Sequence, residues 1–318
     1  MKIAFLDLKT IGSTENLDIL KELGELIQYP VTPESLRIER LKGVDIVITN
    51  KVVIDRRVID KCPDLKLICV AATGTNNIDV GYALKKGIAV KNVAGYSTQS
   101  VGQIVFALLL FLMNKLAYYD KYVKSGAYCR SDIFTHHGRP FMEIKDKRFG
   151  IIGLGTIGKY VAAIAKSFGC EVVYHSTSGK NTQNDEYQHL DLITLLKSSD
   201  IVSIHCPLNE HTSDLIDYSK LSLMKSSAYL INTGRGGIVN ENDLARAIDE
   251  EIISGAATDV LKEEPATNDN PLLKVDNSEN LIITPHIAWA STESRKRLVN
   301  QIYINIKEFI DQTDKEES

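Results

Sequence analysis

Near the middle of the chain, Gly153-Leu154-Gly155-Thr156-Ile157-Gly158 stands directly behind the apolar run Phe149-Gly150-Ile151-Ile152. A glycine turn between a short buried strand and a helix constrains the fold more than any other feature of this sequence. The first glycine permits the tight turn, the second lets the backbone approach a ligand, and the third lets the helix pack on the strand. Val161-Ala162-Ala163-Ile164-Ala165 supplies the apolar helix that such a turn introduces. The free N–H groups and positive end of that helix suit a dinucleotide pyrophosphate. Gly153, Gly155, Thr156, Ile157 and Gly158 are its candidate contacts.

The turn also divides the chain. A nucleotide domain opening near Phe149 leaves far too many residues upstream for a tail, and 318 residues make two domains the expectation. Short apolar runs at 3–8, 44–49, 67–72 and 88–91 alternate with amphipathic stretches at 17–26 and 35–41. In the second half, strands are expected at 150–152, 171–174, 201–205, 228–232, 256–259 and 281–283. Such alternation predicts parallel sheets covered by helices. The expected architecture is α/β with two doubly wound domains, a Rossmann-type dinucleotide-binding domain and a flavodoxin-like substrate domain, with a cleft between them. A helix over 98–122 and a last helix over 292–312 would carry the chain between them. The substrate domain is then 1–98 plus 288–318, the dinucleotide domain 99–287, and residues 314–318 read as a frayed end. The polar, aromatic segment 124–147 is long for a plain loop and reads as an arm on a partner subunit.

Composition excludes more than it assigns. A net charge of −4 offers no field for nucleic acid or an anionic membrane. The longest apolar run, 104–113, has the length of a core helix rather than a membrane span. Cys62, Cys69, Cys129, Cys170 and Cys206 show no C-x-x-C pairing, which predicts free thiols in a reducing cytoplasm and no metal site.

Three segments past expected strand ends carry the chemistry. In Asn232-Thr233-Gly234-Arg235-Gly236-Gly237 an arginine stands among glycines, and its planar fork suits a carboxylate. Asp259-Val260-Leu261-Lys262-Glu263-Glu264-Pro265 and Thr284-Pro285-His286-Ile287-Ala288-Trp289 add a glutamate and a histidine. Arg235, Glu264 and His286, with the glycine turn, resemble the D-isomer-specific 2-hydroxyacid dehydrogenases, in particular their glycerate dehydrogenase or hydroxypyruvate reductase-like branch. The likeness extends over almost the whole chain, including Ala71-Ala72-Thr73-Gly74-Thr75-Asn76-Asn77-Ile78-Asp79 and Asn92-Val93-Ala94-Gly95-Tyr96-Ser97.

The resemblance implies NAD(P)H-dependent reduction of a small 2-oxo acid, such as hydroxypyruvate or glyoxylate, to the D-2-hydroxy acid. His286 would donate or accept the proton, Glu264 would orient it and stabilise its cation, and Arg235 would bind the substrate carboxylate. Asn50, Lys51, Thr73, Gly74, Thr75 and Tyr96 would line the substrate side. Cys206 and Pro207 would border the adenosine, Thr233 and Gly234 the nicotinamide ribose, and Asp259 the carboxamide. A homodimer is also implied. The ribose position departs from the NAD-specific pattern, since Tyr174-His175-Ser176-Thr177-Ser178-Gly179-Lys180 holds no carboxylate. His175, Ser176 and Thr177 fall where the ribose is bound, so NAD and NADP both stay open. The alternative is a dinucleotide-sensing, corepressor-like protein on the same fold; such proteins add motif-rich tails, which this chain lacks after its last helix.

Overall fold

The computed structural model describes residues 1–14 and 16–316. The chain forms two compact units, Met1–Ser97 with the segment from Ala290 onward, and Thr98–Trp289.

The first unit is built on five parallel strands: β1 (Lys2–Phe5), β2 (Glu25–Gln28), β3 (Ile46–Thr49), β4 (Leu67–Val70) and β5 (Ala89–Asn92). Their order, β2-β1-β3-β4-β5, is the flavodoxin-like one. β3 and β4 are buried at every residue, as strands covered on both faces must be. Helices α1 (Arg37–Leu41), α2 (Arg56–Lys61) and α3 (Val80–Lys85) connect them, the last two capped by Asp55 and Asp79. The helix expected at 17–26 is instead a 3-10 stretch, Leu17–Leu23, that ends at Gly24 before β2. Gly24 holds φ +153°, and a Cβ there would stand 2.2 Å from the Met1 carbonyl oxygen. Pairing of β2 along β1, Lys2 opposite Glu25, overrides the helical periodicity.

In the second unit the single helix expected over 98–122 is two: α4 (Thr98–Met113), largely buried, and α5 (Leu116–Lys124). They meet at a 60° bend where Lys115 takes a left-handed φ of 51°. Seven parallel strands follow: β6 (Arg148–Ile152), β7 (Glu171–His175), β8 (Gln188–His189), β9 (Ile201–Ile204), β10 (Tyr229–Asn232), β11 (Gly255–Thr258) and β12 (Leu281–Ile283). Helices α6 (Thr156–Ser167), α7 (Leu192–Ser198), α8 (Tyr218–Leu221) and α9 (Glu241–Asp249) connect them. The order β12-β11-β10-β9-β6-β7-β8 is the Rossmann order with one further strand. The short polar β8 carries no strand pattern of its own and exists because it pairs with Val173 and Tyr174 of β7. The last helix, α10 (Thr292–Glu316), buries Leu298, Val299, Ile302 and Ile306 in the first unit. Residues 317 and 318, part of the end expected to fray, lie outside the described residues. Among those described, no single helix is long and apolar enough to cross a membrane.

Candidate active site

The glycine turn lies at the switch point of the seven-stranded sheet, where β6 is flanked by β7 and β9. Gly153 takes φ +97°, and a Cβ on it would stand 2.6 Å from the main-chain nitrogen of Cys206. A Cβ on Gly158 would meet the Gly153 carbonyl oxygen at 2.2 Å, so the start of α6 lies against the turn. Gly155 differs from both: apart from its chain neighbours, no atom of the described residues lies within 4 Å of its Cβ position. It is also the N-cap of α6 and supplies no side-chain cap for the first N–H groups of the helix. The buried hydroxyl of Thr233 has no hydrogen-bond partner among the described residues. An open cradle, an uncapped twelve-residue helix and an orphaned hydroxyl fit a dinucleotide.

The other candidate contacts edge the same sheet. His175 closes β7, with Nδ1 3.1 Å from the Leu190 carbonyl oxygen. Beyond it, residues 176–181 fold back on themselves: Gly179 N–H donates to the Ser176 carbonyl, and Asn181 N–H donates to Ser176 Oγ at 3.3 Å. The Asn181 side chain donates to the Leu154 carbonyl at 3.2 Å, tying this loop to the glycine turn. Ser176 is buried, Thr177 half-buried and Lys180 exposed. After β9, burial pushes the Cys206 thiol up to about 11, and the Pro207 carbonyl accepts the Thr212 hydroxyl.

Three adjacent strands position the candidate reactive residues. Asn232, Thr258 and Ile283 pair in register, so the turns after β10, β11 and β12 leave the sheet at one level. After β10, the buried Asn232 grips its own turn at both ends, accepting from Gly234 N–H at 3.1 Å and donating to the Arg235 carbonyl at 3.1 Å. The Arg235 guanidinium donates to the Gly234 carbonyl at 2.7 Å. After β12, His286 takes φ +53°, a left-handed conformation unfavourable for a residue with a Cβ. Asp259, 1 % exposed, holds it there. Its carbonyl accepts His286 N–H at 2.8 Å, while its carboxylate accepts Thr284 Oγ1 at 2.6 Å and the N–H groups of Ile287 and Ala288 at 2.8 Å each. Burial raises the Asp259 carboxyl above its ordinary range, and those hydrogen bonds oppose the rise.

His286 Nδ1 lies 2.7 Å from Glu264 Oε2, which leaves Nε2 as the ring nitrogen able to meet a substrate oxygen. The other Glu264 oxygen accepts Leu261 N–H at 3.0 Å. The structure thus joins Glu264 and His286 directly and sets Arg235 after β10, the strand beside β11.

In the first unit the candidate residues also follow strand ends. Asn50 and Lys51 come after β3, and the Asn50 side chain donates to Thr10 Oγ1 at 3.0 Å while Lys51 is exposed. Thr73, Gly74 and Thr75 form the loop after β4, with Thr73 Oγ1 donating to the Val93 carbonyl. Tyr96 is 9 % exposed, and its carbonyl accepts from Arg297 and Ser294. Asp7 supports this region too: its buried carboxylate accepts the N–H groups of Asn50, Lys51 and Val52. Its only mark in the sequence is a carboxylate at the end of an apolar run. The holding roles of Asn232 and Asn181 carry no mark in the sequence. Among the described residues no cluster of three metal-ligating side chains stands together.

A Rossmann sheet with an open glycine cradle, beside a carboxylate-paired histidine and an arginine at strand ends, defines a nicotinamide-dinucleotide oxidoreductase. The model of the D-isomer specific 2-hydroxyacid dehydrogenase NAD binding domain matches residues 106–288. A hydroxypyruvate reductase of Blautia hydrogenotrophica is 37% identical, covering 92% of this chain and 91% of its own. A glycerate dehydrogenase of Methylorubrum extorquens is 36% identical, covering 97% and 96%. The solved structure of an acyclic imino acid reductase in complex with NADPH and D-Arg superposes with a TM-score of 0.88 at 32% identity, over 98% of both chains. The chain belongs to the D-isomer-specific 2-hydroxyacid dehydrogenase family. It is an oxidoreductase that reduces 2-oxo acids with a nicotinamide cofactor.

Proposed function

We propose that this protein reduces a small 2-oxo acid of the hydroxypyruvate or glyoxylate kind to the D-2-hydroxy acid, with His286 as proton donor. The 2.7 Å contact between His286 Nδ1 and Glu264 Oε2 carries this reading. A nicotinamide dinucleotide, when bound, would supply the hydride to C2. His286 gives the Nε2 proton to the carbonyl oxygen, and in the reverse direction takes it back. Glu264 fixes the ring and stabilises the imidazolium. Arg235 binds the substrate carboxylate through its fork, aided by the loop of Thr73, Gly74 and Thr75, with Asn50, Lys51 and Tyr96 shaping the substrate side. Residues 1–98 with 288–318 serve as the substrate domain and 99–287 as the dinucleotide domain.

For the cofactor, Gly153, Gly155, Thr156, Ile157 and Gly158 would hold the pyrophosphate, and Thr233 and Gly234 the nicotinamide ribose. Asp259 would hold the carboxamide; Cys206, Pro207 and His175 would border the adenosine. NADPH is accepted, because the loop after β7 offers Ser176, Thr177 and the exposed Lys180 where a carboxylate would repel a 2′-phosphate. Replacing Lys180 with Ala should raise KM for NADPH about tenfold, the size of one lost charged hydrogen bond, and leave that for NADH unchanged. Equal changes with both cofactors would remove Lys180 from phosphate binding. Two copies pair through the second unit, where the aromatic segment after α5 exposes Ile133, Phe134, Phe141 and Met142, with Phe134 91 % exposed. The five cysteines, all free, fit a cytoplasmic setting.

The deciding experiment is initial-rate oxidation of NADH and NADPH with hydroxypyruvate, glyoxylate and pyruvate. Turnover should appear with at least one acid and fall by at least about 10³-fold in His286→Ala, the scale of general acid catalysis. Cofactor binding should survive the substitution. Parental turnover in His286→Ala would take the histidine out of the chemistry, and cofactor binding without turnover would favour a dinucleotide sensor.

A further inference from the structure

Glu241 opens α9, and the chemistry above gives it no part. Both of its carboxylate oxygens are nonetheless engaged. Oε1 accepts the main-chain N–H of Lys262 at 2.6 Å, and Oε2 accepts the side-chain amide of Asn270 at 2.9 Å. These partners lie near the two ends of residues 261–270, an irregular segment that carries Glu264. Lys262 stands two residues before Glu264. Asn270 is buried, and its Oδ1 caps the 3-10 turn Pro271–Lys274 through Leu272 N–H at 2.9 Å. One carboxylate therefore grips both ends of the loop. The loop is also packed against Gly236, where a Cβ would stand 1.9 Å from the Leu261 carbonyl oxygen. Leu261 N–H in turn donates to Glu264 Oε1, and Glu264 Oε2 meets His286.

We infer that Glu241 is a positioning residue for the Glu264–His286 pair, clamping the loop that carries Glu264 in the place where its carboxylate meets the imidazole. The inference rests on the proposed role of that pair. An acidic residue in the first turn of a helix also complements the helix dipole, but that needs only the charge. The clamp needs the full length of a glutamate, because it spans to Lys262 and Asn270 at once.

Five variants, assayed on the full-length enzyme with its oxo acid and NAD(P)H, separate these roles. Glu241→Ala should lower kcat by about 10- to 100-fold, the cost of loosening the support behind a reacting group. KM for the dinucleotide should stay within about twofold, since a support behind the acid does not touch the cofactor. The solvent deuterium isotope effect on kcat should rise as proton transfer becomes slower. Glu241→Asp keeps the dipole charge and should lose kcat like the alanine variant. Glu241→Gln keeps an acceptor for Lys262 and should fall between. In a Glu264→Gln background, adding Glu241→Ala should cost less than about threefold more, because residues acting through one another are not additive.

Parental kcat in Glu241→Ala, or losses that multiply fully in the double variant, would overturn the inference while leaving the pair intact. Parental kcat in Glu264→Gln would overturn the pair and Glu241 with it. Should the alanine variant fail to fold, Glu241→Asp decides: a kcat equal to that of the parent leaves only the dipole role.

Discussion

Two stretches of one sheet edge are built on opposite physical plans. Around β6, the turn works through what is missing: side chains at Gly153, Gly155 and Gly158, and a cap on α6. Around β10 to β12, the turns are held by buried polar groups, with Asn232 gripping the arginine turn and Asp259 the histidine turn. The first plan leaves room for a ligand that brings its own charge. The second holds side chains at fixed positions, and for His286 it also sustains a left-handed backbone. Binding needs space and free donors, whereas proton transfer needs a residue that does not drift.

The sharpest way to break this contrast is to remove one member from each half. Asp259→Asn keeps the shape but turns an NH2 toward N–H donors that a carboxylate now accepts. It should lower kcat by about 10²-fold, comparable to losing a supporting residue around a catalytic centre. Its effect on KM for the dinucleotide should be smaller than its effect on kcat. If kcat holds while only cofactor binding weakens, the aspartate serves the cofactor alone and the contrast fails.

The opposite signature belongs to Gly155→Ala. Its φ of −83° and ψ of −162° suit any residue, and among the described residues no atom beyond its chain neighbours lies within 4 Å of the new methyl. The melting temperature should therefore stay near that of the parent. The methyl would occupy the space proposed for the pyrophosphate and should weaken dinucleotide binding about tenfold or more, the scale of 1.4 kcal/mol. Unaltered binding, measured by quenching of Trp289 fluorescence, would show that the open cradle is not where the dinucleotide lies.

The same contrast explains what the sequence discloses. Glycine requirements are local, so a tight turn and close helix packing leave their mark within six residues, and the buried strands beside them stand out as apolar runs. Arg235, Glu264 and His286 are legible as residue types at strand ends. The contacts that support them are not. Asp259 reaches Ala288 across 29 positions and Glu241 reaches Lys262 across 21, and no local pattern announces such partners. β2 and β8 are hidden for the same reason, since each is a strand by virtue of its neighbour. The bend at Lys115 interrupts a stretch that reads as continuous helix because no Gly or Pro marks it.

A smaller effect lies at the border of the two halves, where His205 leads into Cys206 behind Gly153. Its Nε2 lies 2.8 Å from Ser203 Oγ, and burial of the ring pushes its pKa down to about 3. The sign follows from proton counts. Between pH of about 6.5, where an exposed histidine titrates, and about 3, the unfolded chain binds a proton here that the folded chain refuses. The folded state thus loses stability as pH falls through that window, by at most about 1.4 kcal/mol per pH unit. Solvent reaches part of the residue, so the slope should fall short of that bound. Between pH 7.5 and 5.5, urea unfolding of the second unit should weaken more in the parent than in His205→Gln, by up to about 1.4 kcal/mol. Equal weakening in both would mean that the folded protein accepts the proton, and that the ring behind the glycine turn is not held neutral by burial.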